Sequence, residues 1–485
     1  MVTGHRHILV LIVMWGCAAL AGAPGSARDI VPTAGPIAPA DTMTAGFVGL
    51  AAQGPLDEAV LVTSWAEFGA VFGTATTGLA NPYLAPSVAA FFANGGGQAR
   101  IVRVASDAPA DLIGFGSGPT ATGLRALAGW PDVSVVAIPG VGTDLVQDAL
   151  LDFARRQGLF AVLDPASPTG LPGIQLQRAG LDAPAGHGAL YFPWIHAAPT
   201  GVSQLLPPSG FVAGLICATS PSDSPFGVLA TAIAVAVDID TATNDQLNAQ
   251  NINVIRNLAG IRVWGARTLS SDPEWRYVAV RRMALHMARS IGQGTGWFDL
   301  LDNDATLWNE LRTDTDGFLF GLYRSGYFAG TSPNDAYFVQ CGLGTTMTAA
   351  DIAAGRVILR VGFAPLAPAE FVVVTTTLLY PGAAAVPGAA DGRIRLAAPA
   401  PNPANPRTTV GFVLDRAANV GVEIVDVAGR RVRTLAPPVR RQAGAHRFAW
   451  DGCDDGGRGV ASAVYLVRLT GDGAGSQSRP VTLVR

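Results

Sequence analysis

Apolar positions follow two periods along this 485-residue chain, and the switches between them mark its elements. Residues 45–49 form a short apolar run closed by Gly54-Pro55, which predicts a strand, whereas residues 63–72 place Trp65, Phe68 and Phe72 at helical intervals. Residues 83–94 stay apolar up to the stop at Gly95-Gly96-Gly97, and 99–104 return to a strand pattern. Residues 133–139 then read as a buried strand, 144–157 as an amphipathic helix, and 159–163 as a strand ending at Asp164-Pro165. That is a βαβ unit, the mark of a mostly parallel sheet. Residues 274–291 predict a further helix with apolar Trp275, Val278, Leu285 and Ile291, and Glu370 leads into a strongly β-prone run at 371–379.

The pattern changes after residue 380. Residues 381–406 hold two Pro-Gly pairs, a Gly-Ala-Ala-Ala stretch and Pro399, Pro401, Pro403 and Pro406, which neither continue a helix nor donate to a central ladder, so a linker is expected at 381–400. Short alternating runs follow at 408–414, 420–427, 431–435, 446–450, 464–470 and 481–484, separated by Gly- and Asp-rich turns. Such spacing predicts an all-β sandwich over 401–485.

At the other end, His5, Arg6 and His7 form a short basic head, Ile8 to Ala23 an apolar run, and Gly25-Ser26-Ala27 a small-residue exit. Residues 1–27 therefore read as a secretory signal, the run being short for a membrane span of about 20 residues. Beyond it Cys217, Cys341 and Cys453 are an odd set without CxxC spacing, and a disulfide framework is not expected.

Composition narrows the chemistry. All 33 basic residues are arginine, and the chain has no lysine. Schiff-base chemistry, a lysine base and the Gly-Lys-Ser/Thr phosphate loop are thereby excluded. A net charge of -3 argues against bulk nucleic-acid binding. The turn Pro139-Gly140-Val141-Gly142-Thr143 lacks the third glycine of a dinucleotide fingerprint, and Gly95-Gly96-Gly97 closes a helix where a phosphate cradle would open one. His187, His196, His286 and His446 show no ligand spacing and read as satisfied structural histidines. The pairs Asp302/Asp304 and Asp314/Asp316 read as caps at helix starts. Asp451, Asp454 and Asp455 depart from a calcium loop and read as a hairpin turn. No catalytic, cofactor or metal site is expected.

Two families are resembled. Asn402-Pro403-x-Asn405-Pro406, Val425-Asp426-Val427-x-Gly429-Arg430, Trp450-Asp451-Gly452, Asp454-Asp455-x-Gly457 and Ala461-Ser462-x-Val464-Tyr465 resemble the FlgD-type Ig-like module over 401–485, with Ala463 standing where that pattern usually has glycine. Phe47-Val48-Gly49-x-Ala51-x-x-Gly54-Pro55, the strand 133–140, Ala189-Leu190-Tyr191-Phe192-Pro193-Trp194 and the block from Gly260-Ile261-Arg262-Val263-Trp264-Gly265 to Trp275-Arg276-Tyr277-Val278 resemble contractile-tail sheath proteins. Thr345-Thr346-Met347-Thr348, Gly355-Arg356 and Pro368-Ala369-Glu370-Phe371 extend that match, which covers about residues 40–377.

The expected class is therefore a mixed α/β multi-subdomain sheath fold followed by an all-β Ig-like sandwich. Its segments are an N-terminal sheath part at 28–105, a middle α/β region at 106–258 and a C-terminal sheath domain at 259–380. The resemblance implies a structural subunit, not an enzyme. Such subunits form rings stacked around an inner tube above a baseplate, without nucleotide, cofactor, nucleic acid or small-molecule substrate, in a phage tail or extracellular contractile particle. Neighbours are linked by arms that add strands to one another's sheets. On that basis Arg276, Arg281, Arg282 and Arg289, which suit carboxylate pairing inside the fold or across subunits, and Phe371, Val373, Thr375 and Thr377 of the β-prone run are candidate inter-subunit contacts. Residues 28–44, with Pro32, Pro36 and Pro39, read as a poor arm. The alternative is an exported surface or binding protein that reuses the sheath fold, with its Ig-like domain for attachment or sorting.

Overall fold

The computed structural model describes residues 11–14, 36–166, 169–296, 303–366, 372–379, 394–396, 399, 404, 406–414, 417–426, 430–442, 444–471 and 476–483. They fall into two compact units, Met1–Gly382 and Ala383–Arg485.

In the first unit, β1 (Leu11–Met14) precedes β2 (Thr44–Gly49), β3 (Val60–Val62), α1 (Trp65–Phe72), α2 (Leu84–Ala93) and β4 (Gln98–Arg103). Next come α3 (Pro109–Ile113), β5 (Val133–Ala137), α4 (Asp144–Gln157), β6 (Phe160–Leu163), α5 (Leu171–Gly180), β7 (Gly188–Phe192), β8 (Ile195–Ala197) and β9 (Gln204–Leu206). The chain continues through α6 (Ser209–Ala218), β10 (Gly227–Val228), β11 (Ala232–Val235), α7 (Thr241–Ala249), β12 (Ile252–Asn257), β13 (Ile261–Val263) and α8 (Val278–Gly294). It ends with α9 (Ala305–Arg324), α10 (Pro333–Ala336), β14 (Tyr337–Cys341), α11 (Ala349–Ala353), β15 (Arg356–Phe363) and β16 (Val372–Leu379).

A nine-stranded sheet, ordered β10-β13-β12-β7-β6-β5-β2-β4-β3, forms the centre. Its six inner strands from β12 to β4 pair in parallel, and the edges are antiparallel. The expected βαβ unit is β5-α4-β6. Because side chains alternate along a strand, Phe47, Val135 and Tyr191 enter one buried cluster with Phe91 and Phe211, while Val48, Val136 and Phe192 enter another with Leu150 of α4. Helices thus cover both faces, as a buried parallel sheet requires. Helices α2 and α6 lie unusually close on the first face. A Cβ at Gly210 would fall 2.4 Å from the Ser87 carbonyl oxygen, and one at Gly214 2.4 Å from that of Phe91.

The turn after β5 has a structural reason for its glycines. Gly140 adopts φ +74° and donates its N–H to Asp164 at 2.9 Å, and a Cβ at Gly142 would meet Ala166 at 2.2 Å. Asp164 is buried where β6 ends. It also accepts the Ser209 backbone N–H at 2.7 Å and the Ser209 hydroxyl at 2.6 Å, fixing the start of α6.

A third cluster joins α8, α9, β14 and β15 through Met287, Leu311, Leu319, Val357 and Phe363. Helix α9 opens on Asp304, whose carboxylate accepts from the N–H groups of Thr306 at 2.8 Å and Leu307 at 3.1 Å. Asp302 lies outside the described residues. Asp314 and Asp316 do not begin a helix: α9 runs unbroken for 20 residues, because Leu307, Leu311, Phe318, Leu319 and Leu322 keep helical spacing on its buried face.

The second unit is a sandwich of two antiparallel sheets. Strands β17 (Ile394–Leu396), β18 (Thr408–Leu414) and β21 (Gly444–Trp450) form one, while β19 (Ala418–Val425), β20 (Arg431–Arg441), β22 (Ala463–Gly471) and β23 (Ser476–Leu483) form the other, ordered β20-β19-β22-β23. Strand β17 falls inside the segment expected as linker, where Leu396 is buried and Ile394–Leu396 pair with β18. Between the sheets lie Phe412, Val422, Ile424, Trp450 and Val467, with Trp450 edge-on to Tyr465 at 5.3 Å. The aspartates of the 451–458 turn hold backbone: Asp454 accepts from Gly456 and Arg458 N–H, both at 2.9 Å, and Asp455 from Thr434 N–H at 2.8 Å. Cys217 and Cys341 are buried free thiols.

Candidate assembly interface

The four arginines singled out on α8 and its approach divide three to one. Arg281 is fully buried, stacked over the Trp275 ring at 4.5 Å, and one of its Nη groups contacts the His187 ring. Its Nε and second Nη have no hydrogen-bond partner among the described residues, and burial pushes its guanidinium down to about 9. The same burial, with Arg281 and then Arg155 adding like charge, holds His187 well below the ordinary imidazole range. Arg282 donates to the carbonyls of Ile216 at 2.7 Å, Thr219 at 2.8 Å and Ser220 at 3.1 Å. It thereby satisfies the last carbonyls of α6, where a cation complements the helix dipole. Arg289, also buried, donates to the Pro131 carbonyl.

These three were expected to meet carboxylates within the fold or on a neighbour. Arg282 and Arg289 hydrogen-bond to carbonyl oxygens of their own chain, at the loop and helix ends that arrive at α8. Arg276 is the half-buried exception.

The β-prone run is strand β16. It pairs antiparallel with β15 over all eight residues, Val373 opposite Gly362, Thr375 opposite Arg360 and Thr377 opposite Ile358. On its other side it pairs in parallel with β1, Leu11 opposite Val374 through Met14 opposite Thr377. The result is a four-stranded sheet ordered β1-β16-β15-β14, in which the strand beside β16 comes from within the segment read as a secretory signal. Phe371 lies outside the described residues.

Two features escaped the sequence reading. Around the edge strand β10, the side chains of Phe226, Val228, Ile233 and Trp264 are each about half exposed, at 56, 53, 58 and 47%. Trp264 stands in a stretch whose neighbours Val263 and Ala266 are buried. The second is an open cleft of about 750 Å³ between α8, α9 and residues 36–42. His286, expected as a satisfied structural histidine, lines it, and its Nδ1 has no partner among the described residues. Burial, with Arg289 and Arg282 adding like charge, pushes His286 down to about 4. No group of three or more metal-ligating side chains occurs among the described residues.

Residues 404–475 match the model of the FlgD Ig-like domain. No curated protein matches the chain by sequence. Among solved structures, the contracted sheath of the extracellular contractile injection system PVC is similar at 27% identity, with a TM-score of 0.58, over 73% of this chain and 96% of that one. The contracted helical sheath of the anti-feeding prophage shares the fold at 24% identity and TM-score 0.57, over 73% and 98%. A sheath tail protein from Desulfitobacterium hafniense does so at 10% identity and TM-score 0.51, over 74% and 100%. The chain therefore carries the fold of contractile-injection-system sheath proteins, followed by a FlgD Ig-like domain.

Proposed function

We propose that this protein is a structural subunit of a contractile sheath: it stacks with copies of itself in rings around an inner tube, on a baseplate, and works by rearrangement without nucleotide hydrolysis. The observation that carries this reading is the likeness to the PVC sheath, which extends over 96% of that chain. The small sheet supports it. Strands β1 and β16 are terminal to the first unit and donate along their whole length to a sheet that needs them, so the same pairing made between copies gives the strand-exchange arms of such an assembly. Electron microscopy of the purified full chain, with and without the tube protein of its own gene cluster, tests the reading. Rings or striated tubes are expected; a monomer at high concentration sinks it.

A second reading is an exported surface or binding protein built on the same fold. The leader-like pattern of residues 1–27 favours it. That reading requires a processed chain beginning after Ala27, which would lack β1 altogether, and N-terminal sequencing of fractionated cells separates the two.

A further inference from the structure

Helix α8 brings Arg282, His286 and Arg289 to the wall of one small cavity of about 20 Å³, which they share with Ser134 of β5 and with Thr42. Their spacing of four and then three residues puts them on one helix face. They are 6, 7 and 4% exposed. The rest of the lining is apolar, from β5, β6, α8 and Pro221, and among the described residues none of it precedes Thr42.

Two guanidiniums buried on one helix face are costly unless negative charge meets them. Neither Arg282 nor Arg289 forms an ion pair with a carboxylate among the described residues. Arg282 donates to the three carbonyls at the end of α6 and Arg289 to that of Pro131, and these are dipoles rather than charges. The carboxylates whose fields reach them are engaged or outside. Asp132 pairs with Arg100 at 2.7 Å, Asp41 accepts from the Met43 N–H and the Thr44 hydroxyl, and Asp223 is exposed. Burial keeps the nearby Cys217 thiol and Tyr191 phenol neutral, and it lowers both guanidiniums to about 10. His286 adds no negative charge whichever nitrogen carries its proton, and its Nδ1 has no partner among the described residues.

Sign and size together define what fits. Two cations select an anion, since a water bridges donors and leaves the charges uncompensated. A volume of about 20 Å³ admits a single water-sized body and no tetrahedral oxyanion.

We propose that this cavity binds one halide ion, held by the Arg282 and Arg289 guanidiniums with His286 beside it. The ion ties α8 by charge to β5 and β6 of the central sheet. The site lies within one subunit, so it stands or falls separately from the sheath reading.

The test uses the full-length protein. Thermal unfolding is followed in chloride, bromide and gluconate at equal ionic strength, for wild type and for Arg289→Gln, and crystals of wild type grown in bromide are measured at the bromine absorption edge. An ion that binds only the folded chain raises its melting temperature by mass action. The gain from gluconate to halide is expected to be larger in wild type than in Arg289→Gln by about 2 °C or more. An anomalous peak is expected between Arg282 and Arg289. A gain equal in wild type and folded variant is a general salt effect and overturns the site, and a peak found together with it marks an adventitious ion only. Water or protein atoms in the cavity of the bromide crystals, without anomalous signal, overturn it as well. That measurement decides the question even if Arg289→Gln does not fold.

Discussion

Arg282 reaches 2.7 Å from the Ile216 carbonyl, tying the middle of α8 to the end of α6 across 66 residues of sequence. Replacing it with methionine keeps most of the volume but takes the donor from the Thr219 carbonyl and strips the guanidinium from those of Ile216 and Ser220, which keep the Thr219 and Asp223 N–H groups. A loss of about 2–4 kcal/mol is expected by chemical denaturation, the scale of buried acceptors left unpaired. Lysine in its place recovers a fraction of that, since one ammonium cannot reproduce the fork that meets three carbonyls.

Asp164 gives a pH signature. Burial pushes its carboxyl up to about 7, against three hydrogen bonds from Ser209 and Gly140 that pull it down. A raised carboxyl favours the folded state most below the unfolded value near 3.8 and loses that contribution as pH rises through 7. Stability should therefore decline between about pH 4 and pH 7, measured as the urea midpoint, and Asp164→Asn should remove that slope. The same variant should cost roughly 2–3 kcal/mol at every pH, because each oxygen of Asp164 accepts a backbone N–H and an amide NH₂ must face one of them.

His286 has the opposite sign. Its pKa, pushed down to about 4 from 6.5, contributes stability fully above 6.5 that is lost as pH falls through 4. Acid unfolding of the first unit should steepen across that window, and His286→Gln should flatten it. Nuclear magnetic resonance titration of the imidazole gives the value directly.

Prolines in β16 separate its two partners. Successive residues of a strand direct their N–H groups to opposite sides, so Val374→Pro and Thr375→Pro each remove a donor, one toward β15 and the other toward β1. One variant should lower the melting temperature of the first unit. The other should leave it nearly unchanged while abolishing assembly seen by electron microscopy. Equal assembly by both would count against strand exchange.

The parallel sheet was legible because its inner strands are apolar runs with turn signals, and β5-α4-β6 follows its pattern closely. The Ig-like strands were legible for the same reason, apart from β17, which three residues among prolines and glycines could not announce. The candidate contacts were less legible. Arginine on α8 carries a charge that sequence assigns to a carboxylate, while carbonyl acceptors are backbone and leave no trace in residue type. By residue type Asp314 and Asp316 read as caps, whereas the apolar spacing of α9 carries the helix straight through them. The exposure of Trp264 leaves no trace in residue type, because it depends on which strand forms the sheet edge.

The close seating of α6 has a mechanical consequence. Its backbone rests on α2 through Gly210 and Gly214, its start is pinned by Asp164, and its end is clamped by Arg282. Little slack remains between the central sheet and α8, so a force applied at one is delivered to the other with small deformation. A subunit built this way travels as a stiff piece, and the compliance of any larger structure has to reside in its strand-forming ends.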